Sequence, residues 1–231
     1  MILGIDSTTE ILHLALVESE TAWTRRVVVG VGRSHSGSLL PTLNDLMDEA
    51  GRTPKELKGV AVCVGPGGFT SLRIGVATAE GLALTGLPTW GFSAFELRAR
   101  ALRTSGVEGP TWILLDGQRS EAFAQLWESG PESEACKHPL IELPSLLQNK
   151  PWWAPATFTP RVLAATGYDP LSLDDEGAAT LAGLTQLCRE LPGRPPESPL
   201  VPFYLRETDA EVNFPEASRH LSDALRQGHA R

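Results

Sequence analysis

Residues 60–75 have the sequence VAVCVGPGGFTSLRIG, from which the fold class can be predicted. The uninterrupted apolar run at 60–64 is typical of a strand that is covered on both of its faces. A glycine-rich turn follows at 65–68, and a helical pattern then extends over about 71–84. A buried strand, a tight turn and a helix in this order predict an α/β fold in which helices pack on a sheet.

The residues before this unit predict three strands and one helix. Three short β-rich runs between residues 2 and 29 are typical of an antiparallel meander. Ser34 or Ser36 is a suitable N-cap for a helix that ends near residue 50. The apolar residues of this helix follow i, i+3, i+4 spacing and are Leu39, Leu40, Leu43, Leu46 and Met47.

A segment rich in glycine and proline at 105–110 marks the expected boundary between two lobes. We therefore expect an N-terminal lobe at 1–105, a smaller C-terminal lobe at 106–206 and a charged tail at 207–231. The tail contains few apolar residues, so we expect it to be held loosely.

The expected second lobe begins with a strand at 112–115 that ends in Asp116, and the chain returns as another strand at 121–127. This strand–acid–turn–strand order repeats that of the N-terminus and suggests an internal duplication. The Pro- and Trp-rich residues 130–160 are expected to be mostly irregular, and a helix is expected over about 176–191.

The charge is unevenly distributed along the chain. The 231 residues contain 20 Lys and Arg against 28 Asp and Glu, which gives a net charge of −8. Residues 1–105 contain ten basic and ten acidic side chains, so the remainder carries the whole excess. Because no Lys/Arg cluster offsets it, we expect no strong autonomous binding to nucleic acids.

The sequence also indicates a compartment. No stretch approaches the ~20 consecutive apolar residues of a membrane-spanning helix, and the first residues lack the basic start of a secretory signal. The three cysteines are an odd number without a C-x-x-C pair, which argues against a disulfide framework and against a cysteine zinc site. We expect a cytoplasmic protein with no membrane partner, no metal and no cofactor.

Two acids and one loop are candidates for a binding site. Asp6 and Asp116 each end a short strand, where a carboxylate could hold a Mg²⁺-bound water or bond its own backbone in a turn. The loop with Gly65, Gly67 and Gly68 could cradle a phosphate with its backbone amides, or it could be a tight turn that needs glycine. It lacks the lysine of a P-loop, and both alternatives stay open.

The predicted second helix is rich in small residues. Gly75 and Gly81 each lower its helix propensity by about 1 kcal/mol. Such glycines suggest that another backbone approaches closely, which is either the chain's own sheet or the helix of a partner. Together with the leucine-rich first helix, this helix could form a hydrophobic docking face.

The sequence resembles the TsaB (YeaZ) family at motifs that occur in the same order. The most specific motif is G-P-G-x-F-T-x-L-R-I-G at residues 65–75, although Gly68 stands where Ser is more usual and Ser71 where Gly is usual. The resemblance is strong over 1–95 and thin over 130–195. The other matching segments are Ile2-Leu3-Gly4-Ile5-Asp6-Ser7-Thr8-Thr9, His35-Ser36 before Leu39-Leu40-Pro41, Gly81-Leu82-Ala83-Leu84, the turn at Asp116, and Pro202-Phe203-Tyr204-Leu205-Arg206.

The resemblance implies a two-lobed ASKHA fold (actin/hexokinase/Hsp70-like, ribonuclease H-like) with mixed sheets flanked by helices. It also implies a non-catalytic scaffold subunit that supports threonylcarbamoyl transfer to the adenosine next to the anticodon of tRNAs reading codons that begin with A. The implied partners are TsaD, the catalytic subunit, and TsaE, an ATPase that joins the complex; alone, such a chain often forms a homodimer. TsaD binds a metal through an H-x-x-x-H pair, which this sequence lacks.

In the TsaB family the first two helices of the N-terminal lobe contact the partner, and here they are expected at about 36–50 and 70–84. The residues expected at this interface are Leu39, Leu40, Leu43, Leu46, Met47, Ile74, Gly75, Thr78 and Leu82. We expect Leu43→Glu or Gly75→Arg to abolish pairing and to leave the chain folded.

Two enzymatic alternatives accompany the scaffold interpretation. An ASKHA phosphotransferase would place Asp6 and the 65–68 loop around the phosphates of ATP. A metallopeptidase, a label attached to the wider family, is disfavoured by the missing H-x-x-x-H pair. In the scaffold interpretation the chain has no catalytic residue, and Asp6, Gly65, Gly67 and Gly68 are candidates for a vestigial phosphate loop.

Overall fold

The strand–turn–helix unit around residue 65 lies within a five-stranded mixed sheet. The computed structural model describes residues 1–29, 34–173 and 175–205. The elements of its first half are β1 (Ile2–Asp6), β2 (Ile11–Glu18), β3 (Thr21–Val28), α1 (His35–Ala50), a 3₁₀ helix (Pro54–Glu56), β4 (Gly59–Gly65), α2 (Phe69–Ala83), β5 (Thr89–Ser93) and α3 (Ala94–Thr104). The strand order is β3-β2-β1-β4-β5, and β1 pairs antiparallel with β2 and parallel with β4.

Helices cover both faces of this sheet because β4 is apolar on both sides. Val60 and Val62 pack in one core cluster with α1 and α2. Ala61 and Cys63 belong to the cluster on the opposite face, together with α3. Side chains alternate between the two faces of a strand, so the uninterrupted apolar run supplies both clusters.

A second sheet forms from the following residues. Its elements are β6 (Thr111–Gln118), β7 (Glu121–Trp127), β8 (Cys136–Pro139), α4 (Leu143–Leu147), β9 (Trp152–Trp153), α5 (Thr159–Thr166) and α6 (Glu176–Glu190). The strand order is β8-β7-β6-β9, with β6 antiparallel to β7 and parallel to β9. Both sheets therefore contain an antiparallel hairpin next to a parallel strand, and the predicted α/β fold with mixed sheets flanked by helices is confirmed.

The expectation that residues 130–160 are mostly irregular holds only in part. This segment contains β8, α4 and β9, and α5 begins within it. Pro144 and Pro160 lie in the first turns of α4 and α5, where proline is tolerated because the first amides of a helix have no partner inside it. Its leucine, tryptophan and phenylalanine side chains form a separate buried cluster with β6 and β7.

Helix α6 returns from the second half of the chain to the first sheet. It packs against α3 and against β1 and β2. The core cluster that contains its Leu184 and Leu187 also contains Phe95 from α3 and Ile113 from β6. One continuous core therefore joins the two sheets, and the lobe boundary at residues 105 and 106 stays a prediction. Arg206 and the expected tail at 207–231 lie outside the described residues.

The helix boundaries follow from local signals in the sequence. The Ser34 side chain accepts a hydrogen bond from the Gly37 amide and caps α1, and Gly51 ends the helix at φ 62°. The side chain of Asp175 accepts a hydrogen bond from the Ala178 amide at 2.9 Å and begins α6. Among the described helices, none combines the length and the apolar character that crossing a membrane requires.

Gly183→Ala is expected to lower the free energy of unfolding by about 1–3 kcal/mol, because overpacking would force α3 and α6 apart. The added Cβ would lie 2.7 Å from the backbone nitrogen of Ala101. Gly81→Ala is the matched control: no atom lies within 4 Å of its Cβ position, and the change should stabilise the helix by about 1 kcal/mol. Urea unfolding of both variants measures these effects, and effects of the same sign would contradict the close packing of α6 on α3.

Candidate functional site

Asp6, the last residue of β1, is a completely buried carboxylate with several polar neighbours. Its Oδ1 accepts hydrogen bonds from the Thr8 hydroxyl at 2.6 Å and from the Thr8 amide at 3.1 Å. Its Oδ2 lies 3.1 Å from Nη2 of Arg98 on α3 and 3.5 Å from Nδ1 of His13 on β2. Arg98 and His13 are each only 3% exposed, so the whole cluster is shielded from water.

The environment keeps Asp6 ionised. Burial by itself raises the pKa of Asp6, because a carboxylate loses its hydration in apolar surroundings. The Arg98 guanidinium, together with His13 and Thr8, outweighs burial and holds the pKa of Asp6 well below its usual range. A guanidinium beside the carboxylate also repels a divalent cation. The geometry therefore argues against the phosphotransferase interpretation, in which Asp6 would hold a metal-bound water.

Asp116, near the end of β6, is paired with an arginine in a similar way. Both of its carboxylate oxygens lie 2.9 Å from Nη1 of Arg161 on α5. Oδ1 also accepts a hydrogen bond from the Gln118 amide at 2.7 Å. Asp6 and Asp116 thus make the same bond to the amide two residues ahead, which is the Asx-type turn that the sequence left open as one alternative. Both carboxylates are also neutralised by arginine.

The glycine turn before α2 packs against the chain's own backbone. Gly65 has φ 110°, and a Cβ there would lie 2.7 Å from the carbonyl oxygen of Phe203. A Cβ on Gly67 would lie 2.5 Å from the carbonyl oxygen of Thr8, and the Gly68 amide donates to that same oxygen at 2.8 Å. These contacts account for glycine at 65 and 67 without any ligand.

A cleft of about 1400 Å³ is lined by residues of both sheets. Asp6 does not line it, but its partners Thr8, His13 and Arg98 do. Gly67 and Asp116 also line the cleft, so the structure brings the glycine turn and the acid of the second hairpin to one place. Within the described residues, no group of three or more His, Cys, Asp or Glu side chains could hold a metal ion.

Four of the residues expected at a partner interface are core residues. Leu39, Leu43, Leu46 and Met47 on α1 are all buried, and they pack in the cluster that joins α1 to the first sheet. The apolar stripe that the sequence offers as a docking face is the stripe by which α1 attaches to its own sheet. Leu43→Glu would place a charge in the core, so the expectation that this variant stays folded is corrected.

The remaining expected interface residues divide into buried and accessible ones. Gly75 is buried, and a Cβ there would lie 2.4 Å from Oγ of Ser7, so Gly75→Arg also tests folding and not pairing. The atoms that lie close to Gly75 therefore belong to side chains of this chain, at the end of β1, and not to another backbone. Leu40 is 54% exposed. Three further residues are partly exposed, namely Ile74, Thr78 and Leu82.

The sequence interpretation missed the basic partners of the two acids. Arg98 lies three residues after Phe95 and four before Leu102, and both of these side chains are buried. An arginine on the apolar face of a helix is rare unless it is paired, and this pattern could have indicated a buried ion pair. His13 likewise lies within an apolar strand. Arg161 carries no comparable signal, because it is 40% exposed and only the fold brings it to Asp116.

The sequence matches known proteins of one group. A family model described as TsaD, tRNA N6-adenosine threonylcarbamoyltransferase, matches residues 29–147. The tRNA threonylcarbamoyladenosine biosynthesis protein TsaB of Escherichia coli (strain K12) is 32% identical over 152 residues, which cover 61% of this chain and 63% of that protein. The protein of the same name from Bacillus subtilis (strain 168) is 28% identical over 129 residues, or 55% of each chain. The chain thus matches between about half and two thirds of the length of these curated relatives.

The fold is also similar to a solved structure. The structure of YeaZ from Pseudomonas aeruginosa has a TM-score of 0.71 and 23% sequence identity, and the alignment covers 88% of this chain and 99% of that chain. At this level of identity the similarity concerns the fold alone. It extends over both sheets, including the region where the sequence motifs are thin.

Arg98→Met is expected to lower the free energy of unfolding by about 3–5 kcal/mol, because it leaves a buried carboxylate without its main counter-charge. Arg25→Met is the matched control. Arg25 pairs with Glu49 at the surface, with the two side chains 43% and 52% exposed, and the loss of such a pair costs less than about 1 kcal/mol. Denaturant unfolding measures the free energy of unfolding of both variants. Similar losses in the two variants would show that the buried Asp6–Arg98 pair contributes no more to stability than a surface pair.

The lowered pKa of Asp6 makes its contribution to stability depend on pH. A carboxylate whose pKa is lower in the folded state makes its full contribution to the free energy of unfolding above its unfolded-state pKa of about 4. That contribution is lost as the pH falls through the folded-state pKa. The difference in unfolding free energy between wild type and Asp6→Asn should therefore be largest near neutral pH and should shrink below about pH 4. Urea unfolding at a series of pH values measures it, and a constant difference would contradict this assignment.

Proposed function

The chain belongs to the family of TsaD, the tRNA N6-adenosine threonylcarbamoyltransferase, and within it to the TsaB (YeaZ) group; from this membership we propose that it is a scaffold subunit in tRNA threonylcarbamoyladenosine biosynthesis. The proposed partner is TsaD, which this chain pairs with and activates for transfer to the adenosine next to the anticodon of tRNAs reading codons that begin with A. TsaE joins the pair, and the chain alone forms a homodimer through the same face.

The observation that carries this proposal is an exposed stripe along α2. Arg73, Ala77 and Gly81 of α2 and Leu84, the residue at its C-cap, follow one another at helical spacing and are all exposed. Leu84 is 90% exposed, and no atom lies within 4 Å of the Cβ position of Gly81. We call these four residues the α2 stripe. Small residues beside an exposed aliphatic side chain allow the helix of another protein to approach closely and to bury apolar surface.

Helix α1 would contribute to the same face through its exposed side. Leu40 is 54% exposed, although the rest of the leucine stripe of α1 is buried. Ile74 and Thr78 of α2 are partly exposed, and α2 packs against α1. The proposed docking face is thus the α2 stripe together with Leu40, Ile74, Thr78 and Leu82, and it excludes Leu39, Leu43, Leu46 and Met47.

Two features of the chain support a non-catalytic role. The carboxylates at the two strand ends, Asp6 and Asp116, are held by Arg98 and Arg161, so neither is placed to act as a metal ligand or a general base. The whole sequence lacks an H-x-x-x-H pair.

The net charge of −8 supports a subunit that leaves the main contacts with tRNA to its partners.

Gly81→Arg and Leu84→Glu are expected to abolish co-elution with TsaD of the same organism and to leave the isolated chain folded. Both positions are exposed, so neither variant disturbs the core, whereas each places a charge in the desolvated interface. We expect the affinity for TsaD to fall by about tenfold or more. Size-exclusion chromatography with light scattering measures complex formation, and thermal unfolding measures the folding of each variant.

Ile141→Glu is the matched control for this experiment. Ile141 lies between β8 and α4, far from α2 in the sequence. It is an aliphatic residue and is 86% exposed, so it matches Leu84 in chemistry and exposure. Its substitution should leave TsaD binding unchanged. Unchanged binding of both α2 variants, or equal loss with Ile141→Glu, would contradict the proposed docking face. If wild-type chain and TsaD do not co-elute at micromolar concentration, the scaffold proposal itself fails.

A further inference from the structure

Residues 200–205 lie alongside α2, and we call them the 200–205 segment. At one end, the Leu200 amide donates a hydrogen bond to Oε1 of Glu80 at 2.6 Å. At the other end, the Tyr204 hydroxyl accepts a hydrogen bond from Nε of Arg73 at 2.9 Å. Because Glu80 lies farther along α2 than Arg73, the segment runs antiparallel to the helix.

The lengths of the segment and of the helix match between these two contacts. The positions of Arg73 and Glu80 are about 10 Å apart along the axis of α2, at 1.5 Å per residue. The chain from Leu200 to Tyr204 spans at most about 14 Å. The segment therefore follows α2 closely for about two turns.

The first sheet also holds the segment in place. Leu200 is buried in the core cluster that contains Leu72 and Val76 of α2. The amide of Phe203 donates a hydrogen bond to the carbonyl oxygen of Val64 in β4 at 2.6 Å. The same core thus positions both the segment and the helix, and the two present one continuous surface.

This surface carries exposed apolar and aromatic side chains next to the α2 stripe. Val201 is 71% exposed, and Tyr204 is 39% exposed. The ring of Tyr204 lies 5.4 Å from the ring of Phe69, which is 42% exposed. The guanidinium carbon of Arg73 lies 3.8 Å from the centre of the Phe69 ring. Tyrosine and arginine are enriched among the residues that contribute most to binding at protein interfaces.

The guanidinium of Arg73 is oriented but only partly used. Its one hydrogen bond to another described residue is the bond from Nε to Tyr204. Nη1 and Nη2 are therefore available, while Tyr204 and the Phe69 ring restrict the orientation of the group. A guanidinium held in this way presents a planar fork of donors that matches the two oxygens of a carboxylate.

We propose that the 200–205 segment completes the docking face of α2, so that TsaD covers Val201 together with the α2 stripe and places a carboxylate against Arg73. This inference rests on the proposed function, because Arg73 belongs to the α2 stripe. A helix with its side chains is about 10 Å wide, so a partner helix on Ala77 and Gly81 also reaches the segment beside them. The surface fits a partner with aliphatic side chains and one acidic residue.

Val201→Glu tests the apolar part of this surface. Isothermal titration of the full chain with TsaD of the same organism should show binding that is about tenfold weaker or worse, because the variant places a charge in a desolvated contact. The position is exposed, so the variant should fold like the wild type, which thermal unfolding measures.

Val28→Glu is the matched control for this variant. Val28 is an aliphatic residue of β3 and is 64% exposed. Its neighbour Val27 packs in the core cluster with α1 and α2, so Val28 lies on the opposite face of the sheet. This control should bind TsaD like the wild type.

Arg73→Met tests the expected carboxylate of the partner. At about 0.1 M potassium chloride, the variant should bind TsaD about tenfold more weakly than the wild type. The difference should shrink at about 1 M, because salt screens an ion pair at the edge of an interface.

Arg189→Met is the control for the loss of one positive charge. Arg189 is exposed and donates to the carbonyl oxygens of Ser19 and Glu20. It belongs to α6, which packs on the opposite face of the sheet from α2. This variant should bind TsaD like the wild type at both salt concentrations.

The results separate this inference from the scaffold proposal. If the wild type does not bind TsaD, both fail. If Gly81→Arg weakens binding but Val201→Glu binds like the wild type, the scaffold proposal stands and this inference is overturned. It is also overturned if Val28→Glu weakens binding as much as Val201→Glu, or if the deficit of Arg73→Met is the same at both salt concentrations.

Light scattering of the isolated chain tests a second copy as the occupant of this surface. Under the proposal, Val201→Glu weakens the binding of TsaD. If the variant disrupts a homodimer and leaves TsaD binding unchanged, the segment belongs to a contact between two copies of this chain, and the inference is overturned.

Discussion

The carboxylate of Asp6 at the end of β1 and the guanidinium of Arg98 on α3 meet in the core, 3.1 Å apart and shielded from water. Removal of either partner leaves an uncompensated buried charge, which folding tolerates poorly. Thr8 extends the contact to the glycine turn, and the turn sets the position where α2 begins. One buried ion pair thus fixes a strand, a turn and two helices relative to one another, and the remaining packing is arranged around it.

The same ion pair changes the character of the cleft. A carboxylate at the end of a strand is well placed to hold a metal ion, but here Arg98 and Arg161 hold the carboxylates at both strand ends. Each of the two carboxylates therefore has a cationic partner from the same chain, which reduces its attraction for a metal ion. The first turn of α2 lines the cleft. The same helix carries the proposed docking face, whose Gly81 and Leu84 lie roughly 18 Å farther along.

The helices and most strands of the first sheet could be predicted because hydrophobic periodicity and caps are local signals. The same periodicity misled the prediction of the docking face. A stripe such as that of Leu39, Leu43 and Leu46 shows that a helix buries one face, but it does not show whether the covering surface belongs to the same chain. The second sheet was harder to predict, because its strands β8 and β9 are short and its prolines begin helices instead of ending them.

The amino-acid sequence alone is sufficient to predict the α/β order of elements, the glycine turn, the two strand-end acids and the resemblance to the TsaB family. These features depend on neighbouring residues, whose spacing along the chain sets their geometry. The folded chain is needed to show that Asp6 contacts Arg98, that Asp116 contacts Arg161 and that α6 packs on α3. Such contacts join residues far apart in the sequence, and burial and charge pairing arise only when the chain is folded. The chemistry of the cleft was therefore decided by the fold.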